Sequence, residues 1–248
     1  MTSVTERGPA LSFDRVTKAY GATPALDDFS LSVERGELFA LVGGNGAGKT
    51  TLIKCLLDFT AADRGDIAIF GAPNGLTASR ADLAFLPERF NPPHYLTGRD
   101  FLRYMSELHR KPYEEDLVRQ TFERLDLDIS ALTRPARTYS KGMTQKLGLA
   151  ACLLSRKNLQ VLDEPTSGLN PKARALLKRE LRGLRDAGRT VFFTSHSLAD
   201  VQEICDRMAV VHDGHLMFAG RPDELISKFR SRNLEQAFLA CIGEVIAA

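Results

Sequence analysis

No stretch of this 248-residue sequence reaches the ~18 consecutive apolar residues of a membrane-spanning helix. The longest apolar patch, around Leu147–Leu154, is far too short. The opening residues, Met1 to Arg7, contain no apolar core of a leader, so no secretory signal is expected. The four cysteines (Cys55, Cys152, Cys205, Cys241) are scattered and form no CxxC pair. Neither a zinc knuckle nor a disulfide framework fits that spacing, and a reduced, cytosolic chain is expected. Charge of one sign is also missing. The 33 basic and 31 acidic residues leave a formal charge of +2, which gives no support for non-specific nucleic-acid binding. No internal repeat is present, and no sustained heptads mark a coiled coil. If the chain works at a membrane, something else must do the crossing.

What is present is ordinary for a globular protein: 44% hydrophobic and 26% charged residues. The length suits one large domain or two small ones, with ample material for a core. Phe29, Leu31 and Val33 alternate at period two, and Leu11 and Phe13 suggest an earlier strand. Denser apolar runs follow at Leu38–Val42, Ile67–Phe70, Leu83–Leu86, Val161–Leu162, Val191–Phe193 and Met208–Val211. Such runs between helical stretches predict an α/β fold whose sheet is covered on both faces. Leu216–Phe218 can return on Met208–Val211 as a hairpin across Asp213-Gly214. From about Gly98 to Leu132 the chain turns charged and helical, with Phe101, Leu102, Met105 and Leu108 on one face. Lys172–Arg189 holds seven basic and two acidic residues, read as a solvated helix face. Contact with anionic lipid or nucleic acid is the other reading of that run. After Gly220, one or two short helices are expected, packed through Leu225, Ile226 and Phe229.

The chemistry starts at Gly43-Gly44-Asn45-Gly46-Ala47-Gly48-Lys49-Thr50-Thr51. This matches the P-loop pattern, and it follows an apolar strand and opens a helix, as that motif requires. Glycines let backbone N–H groups turn toward phosphate oxygens. The helix start adds its positive dipole end. Lys49 is a mobile charge for the β- and γ-phosphates, and the Thr50 hydroxyl can ligate Mg²⁺. A second acidic element, Asp163-Glu164-Pro165, ends an apolar strand, where α/β sheets place their ligands. Asp163 would hold Mg²⁺ through hard oxygen. Glu164 could orient or deprotonate an attacking water. Gln160, inside that strand, needs hydrogen-bond partners that the sequence does not reveal.

From about Leu11 to Gly220 the chain resembles the nucleotide-binding subunit of an ATP-binding cassette (ABC) transporter. The motifs stand in the family order. Tyr20 sits where the family stacks an aromatic residue on adenine. Tyr139-Ser140-Lys141-Gly142-Met143-Thr144-Gln145 looks like the signature sequence, whose Ser140 and Gly142 would bind the γ-phosphate held by an opposite subunit. Ser167-Gly168-Leu169-Asn170 resembles the D-loop, and His196 the switch histidine at the γ-phosphate. The other four histidines match no motif and form no convincing metal set. Three positions depart from the common pattern. Glu88 stands where glutamine is usual after Leu-Pro, keeping an oxygen for Mg²⁺ but adding charge. Lys141 replaces a glycine. Asn170 replaces an aspartate while retaining hydrogen-bonding ability.

The resemblance implies a P-loop NTPase fold of ABC type. Its mixed central sheet has flanking helices, an N-terminal antiparallel β part and a small helical subdomain. It implies one nucleotide-binding domain over residues 1–248, with the helical insert at about 90–135 and a C-terminal extension at about 221–248. It further implies Mg²⁺-dependent ATP hydrolysis with catalytic Glu164, His196 and Lys49, and metal ligands Thr50, Glu88 and Asp163. Its implied partners are separate transmembrane permease subunits and a second copy of the chain or a homologous ATPase. The chain would then sit on the cytoplasmic face of a membrane through its permease. Tyr95, Phe101 and Tyr104 are either permease contacts or core. The Leu-Pro-Glu and Ser-Lys-Gly-Met variants are similar to those of exporter-type subunits. A soluble ABC ATPase acting on nucleic acid or ribosomes is the alternative, against which stands the single cassette without a coiled-coil insertion.

Overall fold

The structure, a computed structural model, describes residues 8–243. Strands β1 (Leu11–Tyr20) and β2 (Thr23–Val33) pair antiparallel. In β2 the period-two pattern buries Phe29, Leu31 and Val33 and leaves Ser30 and Ser32 outside. Next come β3 (Leu38–Val42), helix α1 (Lys49–Leu56), β4 (Arg64–Ile69) and the short β5 (Ala72–Pro73). β4 returns to β1, giving a four-stranded antiparallel sheet of order β2-β1-β4-β5. The Ile67–Phe70 run, expected in the sheet covered on both faces, therefore belongs to this antiparallel sheet. It also ends one residue early, because Phe70 turns to φ 52°.

The remainder is β6 (Leu83–Leu86), α2 (Gly98–Leu108), α3 (Glu115–Arg124), α4 (Lys141–Leu154), β7 (Leu159–Leu162), α5 (Pro171–Asp186) and β8 (Thr190–Ser195). Then follow α6 (Leu198–Ile204), β9 (Arg207–His212), β10 (His215–Gly220), α7 (Pro222–Lys228) and α8 (Leu234–Cys241). The second sheet has the order β10-β9-β3-β8-β7-β6. All its pairings are parallel except β9 with β10. That hairpin turns at Asp213 (φ 46°) and Gly214 (φ 79°), the two left-handed residues a tight hairpin requires.

The central strand β3 is buried along its whole length, which is why it reads as an unbroken apolar run. Its residues divide between two cores. Phe39 and Leu41 face α1 and the antiparallel sheet, with Phe39 stacked on Phe192 at 6.0 Å. Leu38, Ala40 and Val42 face the helices of the other layer. Phe101, Leu102, Val118 and Phe122 of α2 and α3 join that second core. Leu108, expected on the same face, lies in the last turn of α2 and is 58% exposed. Helical spacing names a face, not how far along it the neighbours reach. Phe101 is core, whereas Tyr95 and Tyr104 are exposed.

The basic run of α5 is largely paired with acids on and after α6. Arg174 and Lys178 approach Asp200, Arg182 reaches Glu203 at 3.1 Å, and Arg185 reaches Asp206 at 3.1 Å. This favours the helix-face reading. α7 and α8 pack through buried Leu225 and Ala237, with Ile226 and Phe229 partly covered. Among the described residues no helix is long and apolar enough to cross a membrane.

Candidate active site

Four parallel strands deliver their C-terminal ends to one cleft. β3 leads into the loop Gly43–Gly48, β6 into Glu88, β7 into Asp163 and Glu164, and β8 into His196. Gly46 (φ 80°) and Gly48 (φ 110°) take backbone shapes that side chains resist. At Gly48 a Cβ would also come within 2.5 Å of the Ala25 carbonyl oxygen, so glycine is required twice over. Gly48 is the N-cap of α1, and no side chain caps the helix. Its first-turn amides are therefore available to an anion.

The Lys49 ammonium donates to the carbonyl oxygens of Gly43 at 2.7 Å and Gly44 at 3.0 Å. Burial pulls its pKa down, while Glu164, Asp163 and Glu88 push it back up. The Thr194 hydroxyl donates to Asp163 Oδ1 at 2.6 Å and accepts the Glu164 N–H at 2.8 Å. One buried hydroxyl thus locks two consecutive acids. Burial raises the Asp163 carboxyl, the Thr194 hydrogen bond lowers it, and nearby Glu88 and Glu164 raise it further. Glu164 itself sits at φ 48°, a left-handed conformation that costs on the order of 1–3 kcal/mol and collects at functional sites. Its Oε2 lies 2.7 Å from His196 Nδ1. The cleft measures about 480 Å³ and is lined by residues 44–51, Glu88, Asp163, Glu164, Ser167 and His196.

The ABC transporter family model matches residues 26–167, more than half of the chain. The chain belongs to the ABC transporter family. It is 37% identical over 206 residues to an uncharacterized ABC transporter ATP-binding protein of Synechocystis, covering 82% of this chain and 58% of that protein. It thus spans little more than half the length of that relative. It is 33% identical over 225 residues to the Nod factor export ATP-binding protein I of Rhizobium etli, covering 88% and 70%. A solved ATP-binding subunit of an ABC transporter superposes with TM-score 0.82 at 27% identity, over 94% of this chain and 99% of that one. A dimeric ATP-binding cassette bound to ADP and Pi superposes with TM-score 0.77 over 85% of this chain and 98% of that one. At 20% identity, that likeness shows the fold.

Within this cassette some expected site residues stand apart from the cleft. Tyr20, at the end of β1, is 51% exposed and does not line it. Gly43 contributes a carbonyl to Lys49 from beneath. Ser140 and Gly142 line a different cavity, of about 590 Å³, with Gly168 and Asn170. There Ser140 caps α4, its Oγ accepting the Met143 N–H at 3.2 Å. The Lys141 stem runs over Gly168, so close that a Cβ on Gly168 would meet Lys141 Cε at 2.9 Å. Asn170 caps α5 by accepting the Ala173 N–H at 2.8 Å, which preserves the capping role open to an aspartate. Gln160 donates to the Lys157 carbonyl at 3.0 Å, while its buried Oε1 has no partner among the described residues.

Sequence reasoning missed Thr194. Its only signal is a hydroxyl at the end of the apolar run Val191-Phe192-Phe193. Ser167, read as part of the D-loop, also lines the cleft. For a metal, Thr50, Glu88 and Asp163 offer hard oxygens in one place. Among the described residues no three acidic, His or Cys side chains form a cage by themselves. The three hard-oxygen groups fit Mg²⁺, which prefers oxygen ligands.

Proposed function

We propose that this chain binds and hydrolyses ATP to drive transport through separate transmembrane subunits. The convergence of Lys49, Glu88, Asp163, Glu164 and His196 on the P-loop cleft carries this reading. The chain acts as one nucleotide-binding unit, with residues 90–135 as a helical insert and residues 221–248 as a C-terminal extension. Loop amides of residues 44–48 and the Lys49 ammonium hold the phosphates, and Tyr20 stacks on adenine. Thr50, Glu88 and Asp163 hold Mg²⁺, which supplies positive charge at the phosphate oxygens. Glu164 accepts a proton from the water whose oxygen bonds the γ-phosphorus as the bond to ADP breaks. His196, whose Nδ1 lies 2.7 Å from Glu164 Oε2, steadies that carboxylate and meets the γ-phosphate.

Ser140 and Gly142 line a separate cavity from the P-loop. This supports a head-to-tail pair in which the signature of one copy, or of a homologous ATPase, covers the ATP of the other. ATP then stabilises the closed pair, and hydrolysis removes that differential. The permease lies in the membrane, with this chain on its cytoplasmic face.

The test is Glu164→Gln. ATP binding is expected to persist while turnover falls ~10²–10⁴-fold, the usual worth of a positioned base. Turnover within a factor of two of the wild type would remove Glu164 from its role.

A further inference from the structure

Tyr20 is the last residue of β1, and the turn at Gly21 and Ala22 leads from it into β2. On one side of β1 the ladder to β2 runs to this tip, with Tyr20 opposite Thr23. On the other side the ladder to β4 ends at Thr17, opposite Arg64. The segment that carries the ring therefore loses its second strand before Tyr20 is reached. A backbone N–H released from a ladder needs another acceptor.

Asp63, the residue before β4, supplies one. Its own N–H donates to the Thr17 carbonyl at 2.8 Å. Its Oδ2 accepts the Ala19 N–H at 2.7 Å, and its Oδ1 accepts the Lys18 ammonium at 2.7 Å. One side chain and its amide thus tie Thr17, Lys18 and Ala19, and the last of these adjoins Tyr20. Lys18 and Asp63 form no other ion pair among the described residues. The Lys18 and Ala19 hydrogen bonds hold the Asp63 carboxyl below its ordinary value, and the same bond to Asp63 raises the Lys18 ammonium, so both stay charged at neutral pH.

The ammonium has a second neighbour. It stands over the Tyr20 ring, 5.8 Å from the centroid, within cation–π reach. The Lys18 side chain is only 15% exposed, although it is charged, whereas Tyr20 is exposed. A plain surface ion pair contributes little to stability. Here the pair also sets the pose of an exposed ring. Ordering a free side chain when a ligand arrives costs affinity, and a ring that is already held avoids that cost.

We propose that Asp63 and Lys18 are positioning residues for Tyr20: Asp63 clamps the end of β1 and holds the Lys18 ammonium on one face of the ring, so that adenine stacks on the other. This rests on the reading of Tyr20 as the adenine platform.

The full chain is titrated calorimetrically, in Mg²⁺, with ATP and with inorganic tripolyphosphate. Tripolyphosphate has the phosphate chain without a base, so it reports the loop at Lys49 and not the ring. Tyr20→Ala is expected to weaken ATP about fivefold, within what ring stacking supplies, and to leave tripolyphosphate unchanged. Asp63→Ala and Lys18→Met are each expected to weaken ATP about threefold, again with tripolyphosphate unchanged, which also checks that the variants fold. In a Tyr20→Ala background Asp63→Ala is expected to cause no further loss, because two residues that act through one ring are not additive. An equal loss for ATP and tripolyphosphate in Asp63→Ala would make the tie a general strand support and overturn the proposal. A full further loss in the double variant would do the same. So would unchanged ATP affinity in Asp63→Ala beside a weakened Tyr20→Ala, a result that leaves adenine stacking in place. Unchanged ATP affinity in Tyr20→Ala would instead remove the stacking reading itself, and the proposal with it.

Discussion

At the scale of single residues, the site depends on a hydroxyl that no motif names. Thr194 donates to Asp163 and accepts from the Glu164 amide inside the core. Replacing it by valine keeps the shape and strands two buried polar groups, each costing about 1–3 kcal/mol. Thr194→Val is therefore expected to lower the unfolding midpoint in urea and to cut turnover more than ATP affinity. Thr194→Ser should restore both. Cys152 shows the opposite situation, a reactive group made inert. Burial pushes its thiol up to about 12, so at pH 8 almost no thiolate exists to react. Mass spectrometry after iodoacetamide is expected to find Cys152 unmodified in the native chain and alkylated in urea. Lys49, Asp163 and Glu164 were legible because each stands in a motif of its own, and His196 only through the family resemblance. Thr194 was not, because its importance lies in what it touches.

At the scale of elements, ends matter more than middles. The N-terminus of α1 is left without a side-chain cap beside the cleft, whereas α4 and α5 are capped by Ser140 and Asn170. Asn170→Ala removes such a cap and is expected to cost about 0.5–2 kcal/mol in a denaturant titration. Asn170→Asp should cost little by comparison, since its carboxylate can accept the same N–H and favours the helix start. The strands were legible from their apolar runs, because burial on both faces favours apolar residues, with Gln160 in β7 and Thr194 in β8 as buried polar exceptions. Ile67–Phe70 was placed in the wrong sheet because a short apolar run does not state its partner. Leu108 was misplaced for a related reason. Spacing describes one helix, while burial is a property of the helix and its neighbours together.

At the scale of the whole molecule, the two halves of the proposed composite site are separate cavities of one chain. A head-to-tail pair predicts complementation. Lys49→Ala destroys the phosphate side and Gly142→Asp the signature side, so each variant alone should be inactive. Mixed, they form heterodimers with one intact composite site, and ATP hydrolysis should partly return. No recovery on mixing would mean that each chain completes its own site. The family, the order of motifs and the site's titratable side chains were written in the sequence. They depend on local patterns, a glycine loop after an apolar strand or acids at a strand end, which survive without knowledge of contacts. Only the tertiary structure decided that β4 pairs with β1, that Thr194 bridges two acids 31 and 30 positions away, and that Asp63 ties the end of β1 beside Tyr20. Those are long-range juxtapositions, and a linear pattern carries no term for which distant residues burial will bring together.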